Sequence, residues 1–361
     1  MANTTQNEYQ PDLVTPPGDT LRETLSAMAM SQAELAERMG RAKKTVNEIV
    51  RGKAPITPDT ALQLERVLGI PAGFWNRREQ HYREYLARLR ERNACGRHAE
   101  WLRQFPIGQM ARRGWMTRRA DEADQVRELL SFFGVASPEQ WQLIWGAGNA
   151  AFRRSRAFEA DPAAVAAWLR QGELEAHRVT CAPYDEQSFR DVLGNIRELT
   201  AEPPNKGLPT AASMCGSAGV AVVVVRELPG TRAWGATRWL KPDKALLQLS
   251  CRYKRDDHLW FTFFHEAAHI LRHGKRLVFV EDGANDEASE EEADRYAQDS
   301  LIPDADYRSF VAEYRPFFSK VAIRAFAGRI RVSPGIVVGR LQHDGLLPQT
   351  HCNDLKRAVS L

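Results

Sequence analysis

The sequence predicts a mainly helical protein with one small β-sheet, an α+β chain of more than one domain. Three observations carry this reading. The chain has 361 residues, more than a single hydrophobic core ordinarily organises. Hydrophobic residues make up 43% of it, enough to bury sizeable cores. Apolar residues recur at helical spacing through most of the chain, and β-branched or apolar runs cluster only between positions 219 and 249.

Residues 1–16 are polar and proline-containing and are expected to be a flexible N-terminus. Residues 17–90 read as five short helices with tight turns. Leu21 and Leu25 share a face of the first. Ser31 precedes Gln32, Ala33 and Glu34, an S-x-x-E capping box that starts the second. That helix turns Leu35, Ala36 and Met39 inward, and Gly40 supplies the turn. The third helix, about Lys43 to Val50, buries Val46 and Ile49. Thr57 and Pro58 start the next, proline at the first helical position, with Ala61, Leu64 and Leu68 inward.

This is a helix-turn-helix pattern, and it makes double-stranded DNA the expected partner. The third helix of such a unit lies in the major groove. Lys43, Lys44 and Arg51 suit phosphates, whereas Gln32, Thr45, Asn47 and Glu48 suit base edges. Charge agrees. Residues 1–120 hold 20 Lys and Arg against 13 Asp and Glu, and the remainder hold 30 against 33, so a polyanion is met by the front of the chain.

Residues 91–205 stay helical and rich in Arg and Trp, a linker or sensor region. The stretch Ala201–Pro209 is expected to be the domain boundary, since its prolines and glycine break regular structure. Beyond it, 219–225, 232–240 and 245–249 read as strands of one sheet, and helices resume from His258. The five cysteines are scattered, with no C-x-x-C, which argues against a disulfide framework or a cysteine-based metal site. The start carries no basic cluster followed by an apolar run, and the apolar stretch 220–225 is too short to span a bilayer. A cytoplasmic protein with no membrane partner is expected.

The sharpest signal is His265-Glu266-Ala267-Ala268-His269. Histidines four apart lie on one helix face, so both imidazoles can grip one ion, with zinc the expected metal. Glu266 is placed to take a proton from an activated water. A third ligand is needed. His273 lies eight residues past His265, about 12 Å of helix rise, too far for bonds of about 2 Å. The acidic helix from Glu287 to Leu301 is the better source. Its inward face carries Ala293, Tyr296, Ala297 and Leu301. At 100° per residue Glu290 falls near that face and Glu292 to one side, so Glu290 is the expected ligand and Glu292 the runner-up. Asp294 shares the face of Glu290, placed to accept the N–H of a ligand histidine and fix its tautomer. Tyr296 and His343 are candidates for stabilising an oxyanion. Residues 321–346 have a second helix-turn-helix look, with Ser333 capping and Pro334 starting a helix; packing against the hydrolytic domain is the expectation for them.

Two resemblances follow from these residues. MSQAELAERMG and KTVNEIVRGKAPITPDTALQLERVLGIPAGFW resemble XRE-type domains, most closely HigA-like antitoxins. Ala42 stands where that family usually caps its recognition helix with Ser. FTFFHEAAHILRHG with EEEADRYAQDSLIP resembles the ImmA/IrrE metallo-endopeptidases, over roughly residues 206–345. This second resemblance implies a gluzincin-like domain over 206–361, zinc on His265, His269 and Glu290, Glu266 as general base, and a strand such as 234–239 that pairs with an extended peptide. It also implies a protein substrate, a repressor or antitoxin, with the chain itself a further candidate, and the pairing of a DNA reader with a peptidase points to a stress, prophage or toxin–antitoxin response. A homodimer on an operator is expected. The competing expectation is a HigA-like repressor whose zinc domain is a non-catalytic sensor or scaffold.

Overall fold

The computed structural model describes residues 14–146, 161–252, 254–272, 279–280 and 287–359. It has the expected class, mainly α with one small sheet. The chain divides into two compact units, Met1–His98 with Glu122–Asp124, and Ala99–Asp121 with Gln125–Leu361. Among the described residues no helix is long and apolar enough to cross a membrane.

The first unit holds five helices: α1 Pro17–Ala27, α2 Gln32–Arg38, α3 Lys43–Val50, α4 Pro58–Leu68 and α5 Ala72–Gly96. Their caps follow the sequence. Ser31 Oγ accepts from Glu34 N at 3.1 Å, and Thr57 Oγ1 from Thr60 N at 3.3 Å. Leu21, Leu25, Leu35, Val46, Ile49, Leu64 and Trp75 form one buried cluster. Gly18 is required there, because a Cβ at that position would sit 2.3 Å from Ile49 O. The buried Glu79 carboxylate accepts from Ile56 N at 3.0 Å and pairs with Arg83 at 2.6 Å, so its burial is compensated.

Next come α6 Ile107–Arg112, α7 Glu122–Phe133 and α8 Pro138–Trp141, and in the second unit Phe133 of α7 and Trp141 of α8 meet Trp101 and Phe105 in an aromatic cluster, with edge-on or tilted rings 4.9–5.9 Å apart. Then come α9 Pro162–Arg178, α10 Glu186–Leu199 and α11 Pro204–Ser217, followed by β1 Val220–Val224, β2 Gly235–Lys241 and β3 Lys244–Leu249. Helix α12 runs Asp256–Arg272, β4 is Phe279–Val280, and the chain ends in α13 Glu287–Leu301, α14 Asp304–Tyr314, α15 Lys320–Arg329 and α16 Pro334–His343.

The sheet order is β1-β3-β2-β4, with β1 parallel to β3 and the other pairs antiparallel. Both faces are buried, which is why β1 is a continuous apolar run. Val220, Val222, Leu247 and Leu249 face the main core with α12, whereas Ala221, Val223 and Leu246 pack in the cluster that holds Trp168 of α9. Trp168 Nε1 donates to Val225 O at 2.8 Å, and Gln248 Nε2 donates to Trp168 O at 2.8 Å.

Two sequence expectations change here. The 91–205 stretch is not a region apart: α9 covers the second face of the sheet, and α10 contributes Phe189, Leu193 and Ile196 to the main core. The boundary expected at 201–209 contains the start of α11, because Pro204 occupies a first-turn position that has no intrahelical N–H bond to lose. The helix continues through Pro209.

Candidate metal centre

Helix α12 is buried along nearly its whole length, with apolar residues on all sides. A helix can be so only if neighbours cover it everywhere. The sheet covers one side, and α13 and α16 cover others. Into this apolar setting the sequence places His265, Glu266 and His269, at 1%, 0% and 1% exposure. Burial of three such groups is costly unless they are matched.

Helix α13 supplies the match. Ala293 and Ala297 are fully buried and let its backbone approach α12 closely. On the same stripe, Glu290 Oε2 lies 3.2 Å from His265 Nε2, and Glu290 Oε1 lies 3.6 Å from His269 Nε2. The two Nε2 atoms are 3.0 Å apart. Three ligand atoms at about 2.0–2.1 Å from a tetrahedral zinc would lie roughly 3.4 Å from one another. One ligand atom from each of the three residues lies within 4.8 Å of the others, so small side-chain adjustments bring the set to that spacing around a shared ion. Among the described residues, this is the one cluster of at least three His, Cys, Asp or Glu side chains placed to hold a metal.

The remaining contacts position this trio. His265 Nδ1 is 2.8 Å from Asp294 Oδ1, one turn beyond Glu290. Glu292 points elsewhere, with its Oε1 accepting from Arg272 Nη1 at 2.5 Å. Arg272 also lies over the Tyr296 ring, 5.4 Å from its centroid, which ties the end of α12 to α13. Burial pushes the Tyr296 hydroxyl above its ordinary pKa, against the opposing effects of Ser300, Arg190 and Arg272. His273 lies outside the described residues.

The sequence did not single out Gly235. A Cβ at this first residue of β2 would sit 2.5 Å from Glu266 Oε1, 2.6 Å from its Cγ and 2.8 Å from Thr262 Cγ2. Glycine thus lets the strand press against the buried carboxylate. The signal was present only as a glycine before a strand, which marks close approach without naming what approaches. The peptide-pairing edge expected on β2 is occupied by β4 at Ala236 and Thr237.

The other end of α12 is clamped by α16. Asp256 accepts from Ser333 Oγ at 2.6 Å and from Arg357 N at 2.9 Å. Burial raises its carboxyl pKa, against the lowering effects of Ser333 and Arg357. Asp257 pairs with Lys356 Nζ at 2.6 Å. The 321–346 segment thus packs on α12 and the main core, as its apolar face predicts.

In the first unit, Lys43, Lys44 and Arg51 are exposed, and Gln32, Thr45, Asn47 and Glu48 half-buried. Asn47 Nδ2 donates to Gln32 Oε1 at 3.3 Å, joining α3 to the start of α2. Lys44 Nζ is 3.9 Å from Glu48. Ala42 makes no side-chain cap on α3.

Residues 222–342 match the model of the IrrE N-terminal-like domain, Peptidase_M78, and residues 21–75 match that of a helix-turn-helix, HTH_3. The chain joins a helix-turn-helix domain to an IrrE-like domain. Its front is similar to the uncharacterized HTH-type transcriptional regulator YddM of Escherichia coli K12, 36% identical over 59 residues, which are 16% of this chain. The chain spans 63% of that relative's length. A solved addiction module antidote protein of the HigA family from Coxiella burnetii aligns at 32% identity and a TM-score of 0.20, over 20% of this chain and 82% of that one. The buried histidine–glutamate cluster falls inside the IrrE-like domain, and α2–α4 with the larger part of α1 fall inside the helix-turn-helix match.

Proposed function

We propose that the chain is a DNA-binding transcription regulator whose IrrE-like domain is a zinc-dependent endopeptidase. Its substrate is a repressor or antitoxin-like protein, and its setting a stress, prophage or toxin–antitoxin response. One observation carries the hydrolytic part: two histidine Nε2 atoms 3.0 Å apart, one oxygen of Glu290 3.2 Å from the first and its other oxygen 3.6 Å from the second, with a fully buried carboxylate one residue along the helix from the first histidine.

His265, His269 and Glu290 would hold the zinc, two neutral imidazoles and one carboxylate. Bound there, zinc supplies Lewis acidity toward water and the scissile carbonyl. Asp294 holds His265 through Nδ1, so that Nε2 keeps its lone pair for the ion. Glu266 accepts the proton of the attacking water and delivers it to the leaving amine. The covering sheet and helices bury His265, Glu266 and His269 almost completely, which strengthens the charge interactions of these three side chains.

The helix-turn-helix unit binds an operator in duplex DNA, as a homodimer on paired half-sites. Lys43, Lys44 and Arg51 reach phosphates; Gln32, Thr45, Asn47 and Glu48 are the base-facing set. A non-catalytic zinc scaffold needs no general base, and the presence of the buried Glu266 carboxylate beside the metal ligands favours the hydrolytic reading.

Incubation of the zinc-loaded protein with repressors or antitoxins encoded beside it tests the proposal. Cleavage is expected, and Glu266→Gln lowers it by about 10²–10⁴-fold while zinc stays bound. Equal cleavage by that variant contradicts the role of Glu266. Absence of duplex binding at low salt contradicts the DNA-binding role.

A further inference from the structure

A cavity of about 240 Å³ lies beside α12, walled by Trp234, Phe261, Leu301, Ile302 and Ile336, and the Phe261 ring lies 6.2 Å from that of His265, centroid to centroid. Phe261 and Thr262 line it, and they precede His265 and Glu266 by four residues on one helix face. Thr262 and Glu266 both press on the position a Gly235 Cβ would fill, so the cavity and the buried carboxylate share a wall. We propose that this cavity receives one large apolar side chain, the size of Leu, Met or Phe, from the residue flanking the scissile bond. The inference rests on the peptidase reading and adds the substrate class.

The chemistry of the walls excludes charge. Asp257 is matched by Lys356 at 2.6 Å. Arg340 is matched by Asp344 at 2.9 Å and lies over the Tyr307 ring, and His343 Nδ1 is 3.0 Å from the same carboxylate. His258 stacks on Trp234 with ring centroids 6.3 Å apart, and its burial favours the neutral imidazole over the opposing pull of Asp257. A charged side chain entering this space would be desolvated with no counter-charge left for it. Size fits as well: an apolar cavity of roughly 150 Å³ is enough for a benzene ring. Arg252 lies over the Trp234 ring, 4.9 Å from its centroid, and helps hold that wall in place.

Two readouts test this on the full-length, zinc-loaded protein. The first uses the Glu266→Gln variant labelled with 5-fluorotryptophan, the Trp234 signal assigned through Trp234→Phe. Acetyl-leucinamide and acetyl-phenylalaninamide are expected to shift that signal, and the lysine and aspartate amides are not. Gln298→Trp, which fills the lip, is expected to abolish the shift. The second is a peptide series cut by the unsubstituted protein, in which Leu or Phe beside the cut site is favoured over Ala by roughly 100-fold in kcat/KM. Equal shifts from charged amides, no shift from any, or cleavage indifferent to the side chain each overturns the proposal. A Trp234 shift restricted to apolar amides, without cleavage of any peptide, supports the pocket while removing the peptidase reading beneath it.

Discussion

His265 Nδ1 and Asp294 Oδ1 stand 2.8 Å apart, across the contact between the two helices that also bring His265 Nε2 to within 3.2 Å of Glu290. One face of α13 therefore supplies both the carboxylate beside Nε2 and the carboxylate that holds the opposite side of the ring. A ring held at Nδ1 presents Nε2 in one tautomer and one orientation. Asp294→Ala is expected to weaken zinc binding by about 10–100-fold, measured by competition with a chelator, with the helical content unchanged. Unaltered affinity would show that the pair orients nothing.

The contact between Gly235 and Glu266 gives a second expectation. A methyl at position 235 would start 2.5 Å from Glu266 Oε1, and the buried setting leaves the carboxylate little room to retreat. Overpacking of this kind costs about 1–3 kcal/mol. A displacement near 1 Å in a reacting group costs on the order of 100-fold in rate. Gly235→Ala should therefore lower kcat/KM by roughly that factor and leave zinc stoichiometry unchanged. Full activity in this variant would mean that the strand does not press on Glu266.

Ala42 leaves α3 without a side-chain cap, although its φ of −65° and ψ of 138° already suit a capping serine. Ala42→Ser is expected to stabilise the helix by about 1 kcal/mol, a factor of about five in amide exchange across α3. Hydrogen exchange on the intact chain checks this, and unchanged protection contradicts it.

Asp344 sets a pH dependence. Burial pushes its carboxyl pKa up, but hydrogen bonds from Tyr307, His343 and Arg340 outweigh burial, and the net shift is downward. The unfolded chain then holds more protons than the folded one between the lowered value and the ordinary value of about 3.9. Its stabilisation is complete above that ordinary value and is lost as pH falls through the folded one. Asp344→Asn should lower the urea midpoint at pH 7, and the gap to the unsubstituted protein should narrow below about pH 4. A gap independent of pH would contradict this.

Local pattern made the centre of the site legible. The His265–His269 spacing defines one helix face, and the turn angle along α13 selects Glu290 over Glu292. What stayed hidden was non-local. Gly235 matters because of a side chain 31 positions later, and no periodicity encodes that contact. The helix α9 reads as one more amphipathic segment, and only the second face of the sheet explains why Trp168 is fully buried. Pro204 reads as a breaker because sequence alone does not distinguish a first-turn proline from an interior one. The cavity beside α12 is assembled from four separate stretches, each ordinary by itself.

The metal centre is tested most directly by a crystal grown with zinc and measured at the zinc absorption edge. The account predicts a single anomalous peak about 2.0–2.2 Å from Nε2 of His265, Nε2 of His269 and one carboxylate oxygen of Glu290. A map without that peak, its three side chains turned away from one another, would contradict it.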